Sequence, residues 1–201
     1  MLQHPIVLQS FSIIDQEVSE HKLSPREYEI ARRVIHTTAD FDYLNLIDFS
    51  PTSIESGIKA IQQGLPIVSD VNLVNQGICN LVKKTFNNPL IVALDKAAEA
   101  TEEKTRSEIG MELICQEHPQ AIYLIGNAPT ALLALSKQIS HSLIQPSLVI
   151  GTPVGFVSVI ESKEDLNRLD VPQITTRGRK GGSTVAAAIF NALLILAWEN
   201  R

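Results

Sequence analysis

The chain has 201 residues, of which 44% are hydrophobic and 19% charged, and a formal net charge of -5. That length suits one domain with a substantial core, and the composition is that of an ordinary globular protein. The negative balance argues against a nucleic-acid partner, no apolar run reaches the length of a membrane span, and the first residues lack the basic-then-apolar pattern of a signal peptide, so a cytoplasmic protein is expected.

Residues 4 to 15 begin with His4-Pro5-Ile6-Val7-Leu8 and read as a short extended segment, a first strand or arm. Ser10-Phe11 within it pairs a hydroxyl with an aromatic ring, a combination able to line a flat ligand. Ser24-Pro25-Arg26-Glu27 has capping-box spacing with proline at the first helical position, so a helix is predicted to start there. Tyr28, Ala31 and Ile35 supply its core stripe. Arg33 and His36 lie three apart and share a face, and Asp40 would follow one turn later if the helix continued. Thr37 and Thr38 make poor helix interior, which places His36 in the last turn, where the helix dipole favours the protonated ring and would suit a proton donor. A solvated or structurally bonded histidine is the competing reading.

Ser50-Pro51-Thr52-Ser53 marks a second helix start, carried by Ile54, Ile58 and Ile61 and stopped at Gly64. Residues 65–70 and 89–95 are strand candidates on either side of a helical stretch from Val71 to Lys84. Asp70 and Asp95 each fall just past a strand's carboxyl end, where each would cap the next helix or face a ligand crevice. Residues 96–117 read as helical throughout, with Arg106 singled out because Thr105 and Ser107 flank a guanidinium able to clamp a carboxylate. Cys79 and Cys115 lack CxxC or CxxH spacing, so buried free thiols are expected, with no metal site.

Residues 121–125 form a third strand candidate, after which Gly126-Asn127-Ala128-Pro129 turns into a helix. Asn127 has N-cap chemistry there, and a strand, glycine turn and helix start together bind anions readily. Residues 148–151 and 172–176 are two more strands, separated by Gly151-Thr152-Pro153-Val154-Gly155 and a short helix from Glu161 to Leu169. The last strand runs into Arg177-Gly178-Arg179-Lys180-Gly181-Gly182-Ser183, the densest basic and glycine cluster, and then an Ala- and Leu-rich helix. The Walker order is absent, but backbone donors beside Arg177, Arg179 and Lys180 would bind carboxylates equally well. A turn with solvated charges is the bland alternative. Strands alternating with helices at this spacing predict an α/β protein: a mostly parallel, Rossmann-like sheet covered by helices on both faces, one domain over residues 1–201, its ligand at the strands' carboxyl ends.

Several stretches together resemble the precorrin-8X methylmutase family of cobalamin biosynthesis. They are Ser10 to Ile14, Arg33 to His36, Thr105 to Ser107, Gly126 to Leu132, Pro153 to Lys163, and Gly178 to Ser183 with the following helix. They span nearly the whole chain. The resemblance implies an isomerase that moves a methyl group from carbon 11 to carbon 12 of ring C in (cobalt-)precorrin-8, giving hydrogenobyrinate or cobyrinate with no cofactor consumed. His36-Thr37-Thr38-Ala39-Asp40 looks like the cobalt-precorrin branch. By the same resemblance His36 is the catalytic acid/base and Ser10 and Arg33 contact substrate. Arg106, Arg179, Gly182 and Ser183 are implied carboxylate contacts, and a homodimer is implied. Cysteine is common in the family near Ile91 to Asp95 and is missing here, which bears on strand packing more than on activity. A non-catalytic tetrapyrrole carrier and a phosphate- or nucleotide-binding transferase are the other readings.

Overall fold

The computed structural model describes residues 4–18 and 20–200. The five expected strands are present as β2 (Ile67–Ser69), β3 (Leu90–Val92), β4 (Ile122–Ile125), β5 (Leu148–Gly151) and β6 (Gln173–Thr176), and they run parallel. A strand that the sequence did not announce, β1 (Ile47–Phe49), adds antiparallel to β6, with Ile47 opposite Thr176. The order across the sheet is β1-β6-β5-β4-β2-β3.

Both faces are covered. Ile122 and Leu124 of β4 enter one core and Tyr123 and Ile125 the other, as the two-residue period of a strand requires. The first core is closed by α1 (Pro5–Glu17), α2 (Pro25–Thr38), α4 (Ser53–Gln62), α5 (Asn72–Lys84) and α9 (Ser183–Glu199). The second is closed by α6 (Arg106–Glu117), α7 (Pro129–Ser140) and α8 (Val159–Asn167). Helix α9 is apolar almost all round because it lies between the sheet and α2, α4 and α5. A single turn, α3 (Tyr43–Leu46), links α2 to β1.

Two expectations are corrected. The opening segment is helix α1, not a strand: Pro5 occupies a first-turn position, the His4 ring accepts from the Ile6 N–H, and Val7, Phe11 and Ile14 turn towards α2 at helical spacing. The helix expected over 96–117 begins only at Arg106. Leu90–Val92 runs into a 3-10 turn over Ala93–Lys96, a loop follows, and Thr105 caps α6 by accepting from the Glu108 N–H at 3.2 Å.

Candidate active site

Helix α2 has the full capping box at Ser24 and Glu27 and ends at Thr38, with Ala39 in the left-handed conformation at φ 53°. His36 therefore stands in the last turn, as expected, on the face it shares with half-buried Arg33. Phe11 of α1 meets the imidazole edge-on with centroids 5.5 Å apart, and Arg32, held by Asp15 at 2.8 Å, packs over that phenyl ring. Ser10, next to Phe11, turns its hydroxyl back to the Ile6 carbonyl at 3.0 Å. The protonation expected of His36 is reversed. Partial burial and then the Arg33 guanidinium push its pKa below 6.5, so the ring is mostly neutral at neutral pH.

Asp40 does not extend the helical face, because α2 has already stopped. Instead it accepts from the Asp42 N–H, and both carboxylates take the Lys180 ammonium, at 2.6 Å from Asp40 and 2.7 Å from Asp42. This clasp ties the His36 segment to the loop between β6 and α9. In that loop Arg177 pairs with Asp48 at 3.0 Å and donates to the Asn45 carbonyl, so Arg177 and Lys180 are both engaged by the protein itself. Arg179 is different: it stands exposed, with its guanidinium 5.6 Å from the Phe156 ring centroid.

Gly181 and Gly182 carry the chain from this loop into α9. A Cβ at Gly181 would run into the Thr152 carbonyl, and the Gly182 N–H donates to that same oxygen at 2.8 Å. A Cβ at Gly126 would stand 2.7 Å from the Ser183 Cα. The start of α9 is thus wedged against the ends of β4 and β5, which only glycine permits. No side chain caps it, so its first N–H groups are left without a capping partner from the chain, the arrangement that suits an anion.

The turn after β4 behaves otherwise. Asn127 does not cap α7. Buried Asp70, at the end of β2, accepts from the N–H groups of Val71, Gly126, Asn127 and Ala128 at 2.7 to 3.2 Å. The glycine turn already holds a carboxylate of the chain itself, which counts against a phosphate loop there. Burial pushes the Asp70 carboxyl up and the four donors pull it back. Asp95, the other strand-end aspartate, accepts from the Asn72 amide at 3.3 Å.

Arg106 lies further along the same rim. Thr105 meets Thr130 of α7 hydroxyl to hydroxyl at 2.8 Å, while the Arg106 guanidinium donates to the carbonyls of Ala97 at 3.2 Å and Leu94 at 3.4 Å. It staples the loop before α6, and the side chain is otherwise exposed. The Lys180 clasp joins the end of α2, which carries Arg33 and His36, to the loop that leads into Gly182 and Ser183, while Thr105's contact with Thr130 puts Arg106 beside the start of α7, whose preceding turn abuts Ser183. These groups form a row along the carboxyl rim of the sheet. Clefts of about 480, 470, 460 and 330 Å³ open at the opposite edge, around Pro172, Pro51 and Gln145. Among the described residues, no three His, Cys, Asp or Glu side chains are grouped to hold a metal ion, and no helix is long and apolar enough to cross a membrane.

The family described as precorrin-8X methylmutase matches residues 5–196. A cobalt-precorrin-8 methylmutase of Synechocystis sp. is 52% identical, over 98% of this chain and 98% of that protein. A second, from Leptospira interrogans, is 42% identical over 94% of this chain and 91% of that one. The crystal structure of precorrin-8x methyl mutase from Thermus thermophilus superposes with a TM-score of 0.89 at 41% identity, covering 98% of this chain and 99% of its own.

Proposed function

The chain belongs to the precorrin-8X methylmutase family, isomerases of cobalamin biosynthesis, and we propose that it moves a methyl group from carbon 11 to carbon 12 of ring C in (cobalt-)precorrin-8. The product is cobyrinate or hydrogenobyrinate. Because the methyl group stays within the molecule, the reaction balances without a methyl donor or redox cofactor. The observation that carries this reading is the row itself. Arg33, the open start of α9 with Arg179, and Arg106 are spread along one rim, which suits a wide, flat ring with carboxylates at its edge better than a compact phosphate.

His36 is the acid/base at one end of that row. A methyl shift asks the protein to hold the macrocycle in a reactive shape and to supply or accept a proton as the ring's electrons reorganise. Ser10 and Arg33 contact the substrate beside His36, Arg179, Gly182 and Ser183 take carboxylates, and Arg106 takes one at the far end. The cobalt-containing ring is the substrate we favour, since the relatives at 52% and 42% identity carry that name. The working unit is a homodimer of single-domain subunits in the cytoplasm.

Purified protein and His36→Ala are incubated anaerobically with cobalt-precorrin-8 or precorrin-8 while the absorption spectrum and tetrapyrrole mass are followed. The wild type is expected to give a corrin chromophore at unchanged mass. The variant is expected to bind the ring and lose conversion by about 100-fold or more, the scale of a lost acid/base group. Conversion at an undiminished rate in His36→Ala would remove the histidine from the chemistry. Binding without conversion in the wild type would make the protein a carrier.

A further inference from the structure

Lys163 projects from α8 into the space beneath the β6–α9 loop and is only 3% exposed. All three of its ammonium donors are used, and all on neutral oxygens: Thr176 Oγ1 at 2.9 Å, the Gly178 carbonyl at 2.9 Å and the Lys180 carbonyl at 2.8 Å. Thr176 closes the arrangement by donating from its own hydroxyl to the Lys180 carbonyl at 2.9 Å. Gly178 and Lys180 are the residues on either side of Arg179. One buried cation therefore curls the loop around itself, with Gly178 at φ +68° making the turn, and leaves Arg179 on the outside.

A buried ammonium without a carboxylate is a costly way to fill space, and burial pushes its pKa down to about 8. Methionine would occupy the same volume without that cost. What methionine would not do is gather three oxygens at fixed positions. We propose that Lys163 is a positioning residue for substrate capture, holding the carbonyls that flank Arg179 and so fixing where that guanidinium stands on the rim. The proposal rests on the reading of Arg179 as a carboxylate contact. Lys163 touches no substrate; it acts through the loop, and Lys180 completes the placement by reaching to Asp40 and Asp42.

The test is a double-mutant cycle on the whole protein with Lys163→Met, Arg179→Ala and their combination, reading KM and kcat for conversion of the tetrapyrrole. Each single change is expected to raise KM about 10-fold with kcat within about threefold, and the double to raise it little further, because the two act on one contact. A double mutant near the 100-fold product of independent effects overturns the positioning role while leaving Arg179 in place. A Lys163→Met enzyme with lowered kcat and unchanged KM overturns it too, since that is the mark of a smaller folded fraction. Unchanged KM in Arg179→Ala alone would remove Arg179 from the site, and the proposal with it. Thr176→Val, which deletes one of the three oxygens with little change in volume, carries the same cycle if Lys163→Met does not fold.

Discussion

At His36 two influences oppose each other. The end of a helix favours a cation by about 0.3–1 kcal/mol, less than one pKa unit, and here it is blunted. The hydroxyls of Thr37 and Thr38 donate to the Arg33 and Val34 carbonyls, both at 2.9 Å, and the Ala39 N–H donates to the Ile35 carbonyl. Burial and the Arg33 guanidinium act the other way and prevail. Arg33→Gln should therefore raise the His36 pKa, yet leave it below 6.5, because burial is the larger cause; NMR titration of the imidazole checks this, and a fall in the pKa would contradict it. The linkage sign follows. A pKa depressed in the folded state contributes stability that is present above 6.5 and lost as pH falls through the folded value, so the urea midpoint should decline on acidification less in His36→Ala than in wild type. Substrate carboxylates that neutralise Arg33 would lift the His36 pKa in the complex, so the pKa governing kcat should lie above the one governing kcat/KM.

Between elements, the join that sets the rim is Asp70 with the turn after β4. Its four N–H bonds lock β2, β4 and the start of α7 into one unit. Asp70→Asn keeps the shape but sets an amide N–H2 against backbone donors. The expected loss is about 2–3 kcal/mol of unfolding free energy, read from the urea midpoint, with KM rising as the turn loosens against Ser183. A loss under about 0.5 kcal/mol would mean that water or neighbouring groups replace the carboxylate. This join also marks where sequence reading stops. The five parallel strands were legible as apolar runs, and α2 by its capping box, because those signals are local. Asp70 was legible as a strand-end carboxylate, but three of its four partners lie more than fifty residues away and leave no local trace. The inward stripe of α1, Val7, Phe11 and Ile14, was masked by Ile6, Leu8 and Ile13, which point to solvent and make the segment read as a continuous apolar run. β1 has three residues and depends on β6 for its pairing. The Thr105 to Glu108 cap was present in the sequence and hidden by a charged run of helix-favouring residues. Likewise the residues proposed for the site could be named from their sequence motifs, whereas the engagement of Arg177, Lys180 and Lys163 depends on which acidic groups and carbonyls the fold brings to them.

Across the whole molecule, the anchors proposed above lie on an open face, and an aqueous face is a poor place to hold a macrocycle in one reactive shape. Directly beside Arg179, the connection between β5 and α8 leaves Val154, Phe156 and Val157 45%, 85% and 83% exposed. Burying a side chain of this size contributes about 1.5–3 kcal/mol, so three neighbours left in water form a surface with a use. In the homodimer proposed above, a second copy laid over this connection would remove it from water and wall the ring in the same step. Sedimentation equilibrium should then give about twice the 22.1 kDa chain mass. Phe156→Glu should shift that equilibrium towards monomer and raise KM together, because a charge placed in the contact opposes both burial and enclosure. A variant that becomes monomeric with KM unchanged would separate assembly from the site and place the wall within one subunit. A wild type that is monomeric at micromolar concentration would leave Phe156 and Val157 to cover the ring themselves, and Phe156→Glu would then raise KM with no change in mass.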